Sequence, residues 1–183
     1  MTPSPRCNRV TPYGARIAIE DRGLLWGNRG ALHDPDGTFV RYSRGKGWVI
    51  CALEFKCRRR QLMAPGRLSE LFFLDEATAL AAGHRRCGKC WREAYRAFKA
   101  ACFTGASLPV GSAPEMDTRL HADRLLATGV KRMYDADLDD LPSGSFIEFE
   151  GDPWLVLGER LLHWTSGGYD RDSRALLAPW SAS

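Results

Sequence analysis

The chain has 183 residues, 44% of them hydrophobic, which is enough to bury a core and fits one domain or one domain with a small appendage. Twenty-six Lys and Arg against 22 Asp and Glu leave a net charge of +4, which by itself describes a mildly basic soluble protein and not a polyanion binder. No run approaches the about 18 apolar residues of a membrane helix, and the start "MTPSPRCNRVTPYG" lacks the charged-then-apolar layout of a signal peptide. A cytoplasmic protein without a membrane partner is therefore expected, and in that reducing compartment cysteines close in sequence are metal ligands or catalytic thiols more often than disulfides.

The pattern predicts an α+β protein in three stretches. Residues 1–47 read as an extended arm, to about residue 14, and then a β-meander of short apolar runs, "ARIAIED", "GLLWGN" and "TFVRYSRGKGWVI", with "DPDG" as a turn. Residues 48–103 form a centre. In "WVICALEFKC" a period of two puts Cys51, Leu53, Phe55 and Cys57 on one strand face. After the loop "LMAPGRLSE", "LFFLD" reads as a strand ending at Asp75, the N-cap of the helix "EATALAA", with Gly83 as its terminating glycine. A second helix follows Cys87-Gly-Lys-Cys90, with Trp91, Tyr95, Phe98 and Cys102 as its buried stripe. Residues 104–183 begin with the linker "TGASLPVGSAP", then a short helix "MDTRLHADRLLAT", then a β-hairpin region, "GSFIEFEGDPWLVLGERLLHW", with a turn at Gly151-Asp152-Pro153.

Charge is unevenly spread along these stretches. Residues 41–67 hold eight Lys and Arg against one acid, Glu54, and Arg85, Arg86, Lys89, Arg92, Arg96 and Lys99 follow, whereas Asp135, Asp137, Asp139 and Asp140 make the later part acidic. Basic charge around the cysteines suits DNA or another phosphate-bearing ligand.

Two thiolates three positions apart can share one metal ion, because the turn between them folds back on itself. Gly88 removes a side chain where backbone N–H groups approach sulfur, and Lys89 offsets thiolate charge. A redox Cys-x-x-Cys instead opens a helix directly after a strand; here the pair follows the helix end at Gly83. With Cys51 and Cys57 on one face upstream, the order C-x5-C-x29-C-x2-C can close a four-thiolate zinc site, Cys51, Cys57, Cys87 and Cys90, with His84 as the alternative to one of the upstream cysteines. Metal binding would gather Arg58, Arg59 and Arg60 with Arg85, Arg86, Lys89 and Arg92 into one patch for nucleic-acid phosphates.

"FFLDEATALAAGHRRCGKC" resembles the metal-binding domain of the Ada DNA-repair methyltransferase family, over about residues 48–100. The resemblance implies zinc held by Cys51, Cys57, Cys87 and Cys90, and a zinc-bound thiolate of the earlier pair, Cys51 by order or Cys57 by its place before the arginines, that accepts methyl groups from DNA phosphotriesters. The chain departs from the family in the x5 spacing, in Arg86 where proline is usual and in His84 where an aromatic is usual. On "NRVTP", "GNRGALHD" and "PWLVLG" the whole chain also resembles a group of bacterial proteins.

The expectation is thus a zinc-binding, nucleic-acid-associated protein, a DNA repair or DNA-binding factor related to Ada. The alternative is a zinc-dependent enzyme acting on a nucleotide or small natural-product substrate. For that enzyme Asp117 and His121, at i and i+4 of a helix, are the candidate orienting carboxylate and general base. No Gly-rich phosphate loop, nucleophile elbow or H-E-x-x-H occurs.

Overall fold

The computed structural model describes residues 4–56, 61–170 and 174–175. It is α+β, with the chain divided into two compact units, 1–132 and 133–183.

The first unit is built on a mixed six-stranded sheet. In chain order its strands are β1 (Arg9–Val10), β2 (Arg16–Ile17), β3 (Leu25–Asn28), β4 (Val49–Ala52), β5 (Leu71–Phe73) and β6 (Arg85–Arg86), arranged β2-β1-β5-β3-β4-β6. β1 runs parallel to β5 and β4 parallel to β6; the other neighbours are antiparallel. Part of the N-terminal stretch read as an arm is therefore a strand, and Val10 is buried in the core.

Register decides which residues share a face. Ile50, Gly27 and Leu71 are partners across β4, β3 and β5, and on their side Val10, Ile50, Leu71 and Phe73 pack with Ala79 and Ala82 of α1 (Glu76–Ala81) and its end. Cys51, Trp26 and Phe72 are partners one residue along, so they occupy the opposite face.

The ends of α1 follow the sequence. The Asp75 side chain accepts from Thr78 N–H at 2.8 Å. At the other end Gly83 takes φ +86°, with Gly83 N–H on Leu80 O and His84 N–H on Ala79 O, the paired bonds of a Schellman motif. The chain is thereby turned straight into β6 and the cysteine pair.

Elsewhere the local chemistry shifts expected boundaries. β4 ends at Ala52, and Leu53 is exposed, so the alternation does not carry on to residue 55 as a strand. Residues 38–48 approach a strand only at the His33–Phe39 bridge; the "DPDG" turn does form, with Gly37 at φ +86° and Thr38 N–H on the Asp34 side chain. α2 (Arg92–Thr104) leaves its predicted stripe half-buried and buries Phe103. α3 (Ala113–Arg124) starts before the expected Met116, because Ser112 and Glu115 form a capping box and Pro114 is tolerated in a first turn whose N–H groups lack helical partners.

The second unit is a five-stranded antiparallel sheet of β7 (Phe146–Phe149), β8 (Asp152–Leu157), β9 (Arg160–Thr165), β10 (Gly168–Tyr169) and β11 (Arg174–Ala175). Its hydrophobic cluster is Trp154, Val156 and Leu161. The first turn is Glu150-Gly151, both at positive φ (54° and 85°) as a two-residue hairpin with the right twist requires, and Asp152 and Pro153 belong to the strand.

Candidate metal centre

The parallel pairing of β4 with β6 is what assembles the site. Val49 and Ile50 are the partners of Arg85 and Arg86, and the next residue along each strand is a cysteine; Cys87 N–H donates to Ile50 O at 2.9 Å. A turn then carries the chain from Cys87 through Cys90 into α2, with Trp91 N–H on Cys87 O. The Sγ atoms of Cys51, Cys87 and Cys90 all lie within 4.8 Å of one another.

Gly88 has a steric reason to be glycine beyond the one seen in the sequence. A Cβ there would meet the Tyr95 ring at 3.0 Å, so the turn lies flat against the first turn of α2. Lys89 N–H points at Cys87 Sγ, 3.4 Å away, the donor to sulfur that the turn was expected to provide.

The thiols share charge unequally. Cys87 is lowered to about 4, first because the Cys51 thiol donates to it, with the backbone N–H groups of Lys89 and Cys90 adding to this and burial opposing it. Cys51 is pushed up, first by holding the proton it gives to Cys87 and then by burial. The cluster therefore favours one thiolate without any cation, and a cation among the sulfurs would release the remaining protons.

A cavity of about 340 Å³ opens beside the sulfurs. Trp26, Phe72, Leu62 and Leu68 supply apolar wall, and Lys89 and Glu70 supply charge. Glu70 is buried and accepts from Met63 N–H at 2.9 Å. These wall residues carry no motif; their common face depends on cross-strand register, which the chain order does not display.

The other candidate residues are placed as follows. Cys57, Arg58, Arg59 and Arg60 lie outside the described residues. Arg85 is buried and gives two hydrogen bonds to Asp117, at 2.7 and 2.8 Å, while its guanidinium lies 5.3 Å from the Tyr95 ring centre. Arg86 is paired with Glu76 through both carboxylate oxygens. Lys89 and Arg92 are exposed. His84 is not brought to the sulfurs: its ring packs on Trp48 and Phe73 in the core, and its Nε2 accepts from Arg29 Nε at 3.2 Å. Asp117 and His121 share α3, but the Asp117 carboxylate is committed to Arg85, while His121 stands edge-on to Trp48 with no partner on Nδ1 among the described residues.

Among the described residues, then, three thiols from two separate segments form a group that can hold a metal ion, at the rim of a largely apolar cavity. No helix among them is long and apolar enough to cross a membrane. The chain matches no family model, no curated protein and no solved structure, so the chemistry of this centre rests on its own residues.

Proposed function

We propose that the protein is a zinc-thiolate protein that associates with nucleic acid. The observation that carries this reading is the convergence of Cys51, Cys87 and Cys90. Zinc–sulfur bonds of about 2.3 Å in a tetrahedron put sulfurs about 3.8 Å apart, and thiols already within 4.8 Å of one another need only a small contraction to reach that. An all-sulfur donor set favours zinc over the hard cations, which take oxygen ligands. Cys57 is the proposed fourth ligand. When bound, zinc would keep its ligands as thiolates and cross-link β4 to the Cys87–Cys90 turn.

Nucleic-acid association is supported by the exposed Lys89 and Arg92 beside the turn, by Arg58, Arg59 and Arg60 directly after Cys57, and by the resemblance of residues 48–100 to the Ada metal-binding domain. Within that resemblance a methyl-transfer role assigns the acceptor to Cys57. Cys51, 5% exposed in a strand, suits a ligand that stays in place. In such a transfer the thiolate sulfur bonds the methyl carbon while the carbon–oxygen bond breaks, and the phosphodiester oxygen leaves with the electron pair.

The tests separate metal, nucleic acid and reaction. Elemental analysis of the purified chain should give one zinc per chain, and Cys90→Ser should lose it; a folded, metal-free wild type would end the zinc reading. Binding to duplex DNA should weaken steeply with salt, since phosphate contacts release counterions; negligible binding at low salt would remove the nucleic-acid partner. Incubation with DNA carrying methyl phosphotriesters should add one methyl to Cys57 by mass spectrometry if the repair reaction operates.

A second reading, a zinc-dependent enzyme acting on a nucleotide or small natural-product substrate, is favoured by one observation, the apolar cavity at the sulfurs with Trp26 and Phe72 in its wall. X-ray absorption would distinguish them. Three sulfurs and one oxygen around zinc would support the enzyme, four sulfurs the closed site.

A further inference from the structure

The first unit has another cavity of about 340 Å³, lined by none of the cysteines, whose polar groups are mainly cations. Trp48 stands at its wall with an arginine over its ring twice, Arg29 at 4.4 Å and Arg124 at 4.6 Å from the ring centre. Arg29 is fully buried; Tyr42 takes it at 4.6 Å, and it donates to His84 and to Gly14 O. Arg124 is 8% exposed and spends Nε on Leu120 O and Nη1 on Lys46 O. Lys131 reaches in from the next segment, with two of its three protons on the carbonyls of Pro12 and Ala81.

The donors outnumber what the protein gives them. Arg124 Nη2 and Arg132 Nε, both on residues lining the cavity, are buried without a hydrogen-bond partner among the described residues, whereas the Arg29 guanidinium behind them has Tyr42 beside it. A buried unpaired donor on a charged group is costly, and two in one place call for an explanation. Carboxylates do not supply it. Asp117 has both oxygens on Arg85, and Asp123, at the cavity edge, offsets part of the charge on Arg124 but bonds neither of these nitrogens. Aromatic faces compensate part of the positive charge, and burial holds Arg29 and Arg124 down at about 10 and Lys131 at about 8, so the arginines stay cationic near neutrality. Apolar side chains, Leu80, Phe98, Leu120 and Leu125, make the rest of the wall.

We propose that this cavity binds a small organic anion, its carboxylate or phosphate head on Arg124, Arg132 and Lys131 and its apolar body against Trp48, Phe98 and Leu120. The head would satisfy the orphaned guanidinium donors with charge-assisted hydrogen bonds, and the volume lies at the lower end of ligand pockets, which excludes a polymer and admits a single ring with its head group. None of the cysteine ligands takes part, so the site stands or falls apart from the zinc reading.

The experiment titrates the full chain by calorimetry with phenyl phosphate, benzoate and inorganic phosphate. Saturable binding of phenyl phosphate or benzoate, weakened about tenfold or more by Arg132→Gln, is the expected result, and the tighter of the two identifies the head group. Arg132 is half-buried, and unchanged circular dichroism of this variant guards against a folding defect; Arg124→Lys, which keeps a charge but loses the planar fork, is the second variant and should weaken binding as well. No binding of either organic anion up to about 10 mM, binding indifferent to both substitutions in folded protein, or inorganic phosphate bound as tightly as phenyl phosphate would each overturn the proposal.

Discussion

β4 and the residue that leads into it border two cavities of nearly equal size, and they differ in almost everything else. Trp48, at the strand's entry, lines the cationic one; Val49 and Cys51 line the one with the sulfurs. β6 repeats the division, with His84 before it at the cations and Cys87 after it at the thiols. On the thiol side the polar groups satisfy one another, Cys51 with Cys87 and Lys89 N–H with Cys87, and together they concentrate negative charge that suits a cation. On the other side guanidinium donors are left over, and the field suits an anion. The difference shows how adjacent residues of an extended segment, pointing to opposite sides, can serve two opposite chemistries without mixing them.

Asp117 is where the two sides meet, and removing it is the strongest way to break the comparison. Its carboxylate holds Arg85, two residues before Cys87, and is also the leading charge opposing Arg124's loss of protonation. Asp117→Ala leaves Arg85 buried and uncompensated, which costs about 3–5 kcal/mol, and it makes the cationic cavity more positive. Urea unfolding should show that loss, while the paired change Arg85→Met with Asp117→Leu should recover much of it, because the buried charge is then gone from both ends. If Asp117→Ala unfolded at the wild-type midpoint, the ion pair would not be holding α3 to β6.

How much of this was legible in the sequence depended on whether the signal was local. The α1 cap at Asp75, its end at Gly83 and the turn that brings Cys87 close to Cys90 are all written within a few residues, and the structure has them there. Cys51 could be placed because a strand alternates. What the alternation could not say is that β4 stops at Ala52, since tertiary pairing with β3 and β6 sets its length. Arg85 and Arg86 looked like phosphate ligands because a run of arginines in sequence carries no mark of its partners; Asp117, 32 positions away, and Glu76 take them. The Arg29–Trp48–Arg124 stack was not visible at all, because its members come from three separate segments and an arginine is rarely expected in a core.

Acid should affect the cationic side selectively. Burial, helped by the charges of Arg29 and Arg124, holds His84 well below its ordinary value of 6.5, while the nearby backbone at Ala79 and Ala82 opposes this. Above that pH His84 is neutral folded or unfolded and contributes no slope. Below it the unfolded chain takes up a proton that the folded chain refuses, so stability falls as pH falls, by up to about 1.4 kcal/mol per pH unit. His84→Gln keeps an acceptor for Arg29 and removes the titration, so its urea midpoints between pH 6.5 and 5 should fall less steeply than those of the wild type. Equal slopes would place the acid sensitivity elsewhere.

The smallest expected effect concerns the helix that feeds both sides. α1 packs Ala79 and Ala82 on the sheet and releases the chain at Gly83, one residue before His84 and four before Cys87. Asp75→Ala removes the cap on Thr78 N–H and should cost about 1 kcal/mol of global stability. Because Asp75 lines neither cavity, the loss should appear in the unfolding midpoint while metal content stays unchanged; Asp75→Ser, which restores an oxygen acceptor, should regain most of it. A fall in metal content with Asp75→Ala would show instead that the turn of Cys87–Cys90 depends on the whole helix for its position, through the pairing of Glu76 with Arg86, and that the two cavities are coupled through α1.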